Sequence, residues 1–335
     1  MKILYAIQGT GNGHLARARE IVPLLQQMHD TDVLISGTQA DIDVPFPVKY
    51  RLNGLSFLFG KKGGVDIFET YRKSSLRRFF KEVDALSLDG YDLVLNDFEP
   101  VSAWACFLKD RPCIALSHQA AVVSEKSPRP KKKDLIGMLV LKKYAPAAAE
   151  YGFHFQAYDQ DIFTPVIRRE VRECRVENKG HYTVYLPAYD DERIVRILKE
   201  HKDVQWEVFS KHSSGTIRKA NILIRPIHND DFIKSMAASE GVLCGAGFET
   251  PAEALFLNKK LMVTPMKAQY EQQCNAAALK QMGVPVIKNL KSRRQDAIKD
   301  WLRSDRRVTV SYPDNTAAIL ARVLTEQTVS SDKPV

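Results

Sequence analysis

Long hydrophobic runs are missing. The longest stretch after the first strand, Leu135 to Leu141, is far short of the ~20 apolar residues a bilayer-spanning helix needs. The opening stretch is only a strand long and carries no cleavage pattern, so no secretory leader is read from it. The expectation is a cytoplasmic chain that does not cross a membrane. Cysteine is scarce: Cys106, Cys113, Cys174, Cys244 and Cys274 form no C-x-x-C pair, which argues against a disulfide framework or zinc ribbon and for reduced, buried thiols. Metal-ligand spacing is missing too. The nearest candidate is His228-Asn229-Asp230-Asp231, and no metal is expected. The second strand lacks the acidic residue that would mark a dinucleotide site, since Val33-Leu34-Ile35-Ser36-Gly37-Thr38 ends in small polar residues. The basic charge comes with no stacking platform or recognition motif, so nucleic acid is not an expected partner.

What is present is an alternation of strand and helix over 335 residues, a length that suggests two domains of about 150 residues each. Tyr91 to Asn96 reads as a buried strand, followed by a helix through Trp104 and Leu108 and a strand from Pro112 to Leu116. This is the pattern of a parallel sheet covered by helices. A first domain is placed at 1–160 and a hinge at 161–178, around the charged run RREVREC. A short strand is read in FHFQAY (153–158), just before the hinge. A second alternating unit is placed at 179–312, and a helix at 315–324 within a terminal segment 313–335 whose end, TVSSDKPV, is read as disordered.

Two glycine turns stand at strand-to-helix junctions. The first, Gly9-Thr10-Gly11-Asn12-Gly13-His14, follows the strand MKILYAIQ and precedes Leu15, Ala18, Ile21, Val22 and Leu25 at helical spacing. His14 has the residue type to take a proton from a hydroxyl near neutral pH; the alternative is a histidine bonded to its own turn. In α/β sheets ligands bind beyond the carboxyl ends of the strands, so the His14 loop, Asp97-Phe98-Glu99 and Ser117-His118-Gln119 should converge. Asp97 and Glu99 are candidates to orient the histidine or act as base, with helix capping as the alternative for Asp97.

The second turn, Gly245-Ala246-Gly247-Phe248, follows Val242-Leu243-Cys244 and leads through Thr250 and Pro251 into Glu253-Ala254-Leu255. Glycine here is expected to permit φ > 0 and close approach of a ligand. The free N–H groups of the helix start suit a diphosphate. Glu253, one turn in, is placed to accept from both hydroxyls of a ribose; for Glu249 and Glu253 alike the alternative is complementing the helix dipole. A second strand, Lys260 to Pro265, runs to a helix opening on Glu271-Gln272, an acid-amide pair suited to the vicinal hydroxyls of a hexose. Ser210, at a strand end, is a candidate phosphate contact or an ordinary turn serine. The loop RPIHNDDF, with His228, Asn229 and Phe232, stands before the pocket helix.

Cys244-x-x-Gly247-x-x-Thr250-x-x-Glu253 resembles the lipid-II N-acetylglucosaminyltransferases, and Glu271-Gln272-x-x-Asn275 resembles the broader UDP-glycosyltransferases. Gly9-x-Gly11-Asn12-Gly13-His14 is similar to the amino-terminal loop of both, which faces the cleft and the acceptor. The resemblance implies a GT-B fold, with two Rossmann-like α/β domains facing across a cleft, acceptor in the first and nucleotide-sugar donor in the second. The last helix would cross back to the first domain, and the loop with His228, Asn229 and Phe232 would lie against the uracil base, a core contact being the alternative for Phe232. It also implies transfer of a hexosyl group, from a UDP-sugar by metal-independent inverting displacement, with no cofactor beyond that co-substrate. One departure is that the histidine many UDP-glycosyltransferases place before the glycines is replaced by the run Val242-Leu243-Cys244. The alternatives are a UDP-N-acetylhexosamine 2-epimerase and a non-catalytic nucleotide-sugar-binding protein.

The net charge of +9 is concentrated. Lys61, Lys62, Arg72, Lys73, Arg77, Arg78 and Lys81 crowd one stretch beside Phe68, Tyr71, Phe79 and Phe80, against only Asp66 and Glu69. Lys126, Arg129, Lys131, Lys132, Lys133, Lys142 and Lys143 crowd another beside Leu135, Ile136, Met138 and Leu139. Basic stretches interleaved with apolar residues suit an anionic membrane surface and a lipid-linked acceptor; a solvated basic face is the alternative.

Overall fold

The computed structural model describes residues 1–37, 44–55, 59–60, 64–65, 76–132, 134–267 and 269–331. Thr38, Lys61, Lys62, Asp66, Phe68, Glu69, Tyr71, Arg72, Lys73 and Lys133 lie outside the described residues, as do 332–335.

The first half builds a parallel sheet from β1 (Lys2–Gln8), β2 (Asp30–Ser36), β3 (Tyr50–Leu52), β6 (Leu93–Asp97), β7 (Cys113–Ser117), β8 (Ala149–Phe153) and β9 (Ile162–Phe163), in the order β3-β2-β1-β6-β7-β8-β9. A two-stranded hairpin, β4 (Phe59–Gly60) with β5 (Gly64–Val65), stands apart. The central strands read as unbroken apolar runs because helices cover both faces; every residue of β6 and β7 is buried. The covering helices are α1 (Asn12–Met28), α2 (Leu76–Ala85), α3 (Pro100–Leu108), α4 (His118–Val123) and α5 (Leu135–Tyr144). Register aligns Ile7 with Asp97 and Gln8 with Ser36, so the carboxyl ends of β1, β2 and β6 finish at one level.

After the four-residue helix α6 (Arg169–Arg172), a second sheet is made from β10 (His181–Tyr185), β11 (Gln205–Ser210), β12 (Ile217–Lys219), β13 (Ile222–Pro226), β14 (Gly241–Gly245) and β15 (Lys260–Thr264). Its order is β12-β13-β11-β10-β14-β15, parallel except for β12. The helices here are α7 (Asp191–Leu198), α8 (Asn229–Ala238), α9 (Glu249–Phe256), α10 (Tyr270–Gln281) and α11 (Gln295–Arg303). The main apolar core is continuous across both halves, running from Ile7 and Phe153 through Phe155 to Phe248 and Val263.

Three sequence expectations are corrected. The strand expected in FHFQAY lies earlier, at β8, and only Phe153 belongs to it. Strand β9 falls just past residue 160, so the first sheet extends into the segment expected as hinge. The terminal helix α12 runs from Thr316 to Ser331, well into the tail expected to be disordered. It buries Ile319, Leu320, Val323 and Leu324. Its Arg322 pairs with Asp161, and its Glu326 accepts from Tyr151 Oη at 2.6 Å, which ties it to β8 and β9 of the first sheet.

Candidate active site

Gly11 takes φ 96° at the turn between β1 and α1, a conformation costly for any residue with a Cβ. Gly13 lies close to the second half, since a Cβ there would stand 2.6 Å from Glu249 Oε2. His14 and Arg17 follow on one face of α1, three residues apart. Across from them β6 ends at Asp97, after which Phe98 sits at φ 59°. A left-handed conformation costs a residue such as phenylalanine about 1–2 kcal/mol, and the turn it makes sends the flanking carboxylates to different partners.

Asp97 is fully buried and faces α1. His14 Nδ1 lies 2.9 Å from its Oδ1, and Arg17 donates from Nε at 3.1 Å and Nη2 at 2.9 Å to its Oδ2. Burial alone would raise the Asp97 carboxyl, but the Arg17 and His14 charges and hydrogen bonds outweigh it and hold the group below the ordinary carboxylate range. Arg17 also ion-pairs with Glu249 at the start of α9. A chain of charges therefore runs His14–Asp97–Arg17–Glu249 from one sheet to the other. The Phe98 ring lies nearly parallel to the His14 ring, 6.4 Å away.

Glu99 does not orient His14, contrary to expectation. Its two oxygens accept from Ser36 Oγ, Val101 N, Ser102 N and Ser102 Oγ, which saturates the carboxylate as the N-cap of α3. His118 is 2% exposed; its Nδ1 lies 2.8 Å from the Phe153 carbonyl, its Nε2 2.8 Å from the Asn275 amide, and its ring stacks on Phe248 at 3.9 Å. Burial holds its imidazole below the ordinary value. Its position is a buried contact between the halves rather than an open acceptor surface. Gln119 reaches the cleft: its Nε2 donates to Glu271 Oε2 at 2.9 Å and stands 3.4 Å from His14 Nε2.

On the donor side, α9 begins without a side-chain cap, so its first N–H groups carry the dipole's positive end uncompensated by a capping oxygen. Neither Gly245 nor Gly247 has positive φ, which corrects that expectation; a Cβ on Gly247 would meet nothing within 4 Å, so the backbone there is open to close approach. Ala246 and Phe248 are buried, and Thr250 is half-buried at the second helical position. Asn275, buried at the third turn position of the acid-amide motif, ties Ala246 O at 3.1 Å to the His118 ring. Gln272 turns back on its own loop, accepting from Met266 N at 2.9 Å.

Glu253 is not a free carboxylate. Arg168, from the segment between the sheets, donates Nε at 2.6 Å and Nη2 at 2.8 Å to its two oxygens, and Nη1 at 2.6 Å to Asn229 Oδ1. Three elements distant in sequence thus meet at one guanidinium. His228 is exposed beside them, with no capping bond from its side chain to α8. Ser210 donates to Asp191 and accepts from His212 N, the arrangement of a turn serine. Phe232 is a core contact between Tyr185 and Phe209. Among the described residues no group of three or more His, Cys, Asp or Glu is placed to hold a metal.

The glycosyl transferase family 1 model matches residues 1–304. The chain belongs to this family. Comparison with curated protein sequences gives no match. Solved structures similar to this glycosyltransferase include S. aureus MnaA with UDP, at 15% identity and TM-score 0.61, covering 99% of this chain and 98% of that one. Acinetobacter baumannii MurG matches at 13% identity and TM-score 0.57, over 98% and 100%. Arabidopsis thaliana UGT89C1 with UDP matches at 13% and 0.59, over 99% and 95%. The shared architecture is GT-B, two Rossmann-like domains.

Sequence reasoning missed Arg17, Arg168 and Phe98. Arg17 carried a usable signal in its i+3 spacing from His14; Arg168 and the left-handed Phe98 carried none, because their partners and backbone are set by the fold.

Proposed function

We propose that this glycosyltransferase moves a hexosyl group from a UDP-sugar to a hydroxyl on a lipid-linked acceptor, with inversion, at the cleft between β1–α1 and α9–α10. The observation that carries the reading is that one amide, Gln119, touches both His14 Nε2 of the first half and Glu271 of the second. A base nitrogen and a sugar-binding carboxylate thereby face the same point. UDP as donor nucleotide draws support from solved proteins of the same fold that hold UDP.

With Nδ1 bonded to Asp97, the other ring nitrogen of His14, Nε2, faces the cleft. It takes the acceptor hydroxyl's proton as that oxygen attacks the anomeric carbon. The bond from this carbon to the diphosphate oxygen breaks, and its electron pair leaves with UDP. The α9 N-terminus stabilises the departing charge, so the step requires no metal and no cofactor beyond the donor. Glu271 holds hydroxyls of the transferred sugar, and the Glu253–Arg168–Asn229 cluster meets the ribose and base.

The acceptor assignment rests on helix α5. Leu135, Ile136 and Leu139 are 77%, 65% and 59% exposed, beside the exposed Lys126, Arg129, Lys131, Lys132, Lys142 and Lys143. An apolar ridge flanked by cations suits peripheral docking on an anionic membrane. Among the described residues no helix is long and apolar enough to cross one.

Thermal midpoints with UDP, GDP, CMP and TDP test the donor site. Ligand at 100 times its Kd adds about 2.7 kcal/mol of stability, and Glu253→Ala should abolish the UDP response. A shift common to all four nucleotides, or none, would overturn the UDP reading. Incubating donor sugar with enzyme and no acceptor distinguishes transfer from 2-epimerisation, which needs no acceptor.

A further inference from the structure

A second cavity, about 1240 Å³, opens on the face of α10 turned away from the cleft. Gln273, Ala276 and Lys280 line it, whereas Glu271 and Asn275 of the same helix face Gln119 and His118. At 3.6 residues per turn these two sets lie roughly 150° apart, so the cavity opens on the other face of α10 from the proposed catalytic cleft. Its other walls are the start of α5, the start of α7, the loop 286–293 and residues 265–267, which lead from β15 towards α10.

The lining is strongly one-signed. Lys132, Lys280, Lys288, Lys291 and Arg293 border it and are all exposed, and among the described residues none of the five is paired with a carboxylate. Arg193 joins them, fixed by its Nε donating to Leu290 O at 2.9 Å. The lone carboxylate in the lining, Asp134, accepts from Gly137 N as the N-cap of α5. The lip of this basic cavity is apolar, because Leu135 and Ile136 border it and stand in solvent.

We propose that the cavity seats the phosphate-bearing head of an anionic lipid while Leu135, Ile136 and Leu139 enter the acyl region. The inference rests on the membrane reading above and names the site through which it works. A soluble polyanion would use the cations but leave the apolar lip wet; an amphiphile uses both. The other face of α5 packs Met138 and Leu141 against Val122, Tyr270 and Cys274, and Gly137 approaches Tyr270 so closely that a Cβ would stand 2.6 Å from its Cβ. A lipid held here therefore fixes the bilayer beside the helix that carries Glu271.

Co-sedimentation with phosphatidylglycerol and with phosphatidylcholine vesicles tests this, using wild type, the cavity variant K288E/K291E/R293E, the lip variant L135S/I136S/L139S, and K199E/K202E/K219E as a control of equal net charge. Thermal midpoint and the UDP response are followed for each, so misfolding or loss of the donor site registers separately. The expected result is binding to phosphatidylglycerol vesicles only, weakened at least tenfold by the cavity variant and by the lip variant but little by the control. Equal weakening by cavity variant and control would overturn the site, leaving diffuse charge as the cause. Binding lost with the lip variant alone would overturn the cavity but not the membrane reading. No vesicle binding by wild type would overturn both, and inorganic triphosphate stabilising such a protein would reassign the cavity to a soluble polyanion.

Discussion

The ion pair between Arg17 and Asp97 makes a strong quantitative claim. Both side chains are almost wholly buried, 2% and 0% exposed, and each is the other's main charge partner. Removing one member of a buried pair leaves a buried charge short of its main partner and costs about 3–5 kcal/mol. Asp97→Asn and Arg17→Met should therefore each lower the unfolding free energy by about 3–5 kcal/mol. The double variant should fall short of their sum by about 2–3 kcal/mol, at the upper end of measured couplings. Urea unfolding at pH 7.5 of the four proteins reads this directly. Single effects that add to within about 0.5 kcal/mol would refute the buried pair. The same proteins separate stability from chemistry. Asp97→Asn replaces the acceptor that orients His14 and sets its tautomer, and should cut kcat by about 10²–10⁴, or about 3–5.5 kcal/mol of activation free energy. Arg17→Met leaves the His14–Asp97 contact in place and should cost less in kcat than Asp97→Asn.

Glu99→Gln should destabilise by about 1–2 kcal/mol through loss of the α3 cap, yet leave kcat/KM within twofold, in contrast to His14→Ala; a catalytic loss comparable to His14→Ala would return Glu99 to the chemistry. His118→Phe keeps the ring stacked on Phe248 but strands the Phe153 carbonyl and the Asn275 amide, at about 1–3 kcal/mol for each group left unpaired, measured by urea midpoint. The Asp97 carboxyl is held below its unfolded value, so its contribution to stability is complete above the unfolded carboxylate pKa of about 3.9 and is lost as pH falls through the lower folded value. The wild-type urea midpoint should drop more steeply below pH 4 than that of Asp97→Asn, and parallel acid profiles would contradict the assignment. Glu253→Ala should remove the UDP response and also leave the buried Arg168 unpaired, so its unliganded midpoint should fall, whereas a variant that loses the response alone would place the ribose contact on a carboxylate free of Arg168.

The parts of this architecture legible in the sequence are those encoded locally. Buried strands such as Leu93–Asp97 and Lys260–Thr264 announce themselves as apolar runs because both faces of a parallel sheet are covered. The glycine turns mark where strand gives way to helix, and Gly11 has a backbone reason to be glycine in its positive φ. What the sequence could not display is pairing over distance: Arg17 meets Glu249 from 232 positions away and Arg168 meets Glu253 from 85. Carboxylates that look interchangeable along the chain acquire distinct roles only from such partners. Asp97 and Glu99 are two residues apart, yet the left-handed turn at Phe98 gives one to α1 and the other to its own helix.

Arg17 gives the cleft a property that neither domain has alone. Its guanidinium divides between Asp97, at the end of β6 beside His14, and Glu249, the first residue of α9. A guanidinium carries a fixed charge and a fixed fork, so hydrogen bonds given to one carboxylate are withheld from the other. Nε and Nη2 serve Asp97 while Nη1 serves Glu249, so the two halves meet at one side chain whose separate N–H groups satisfy a carboxylate from each.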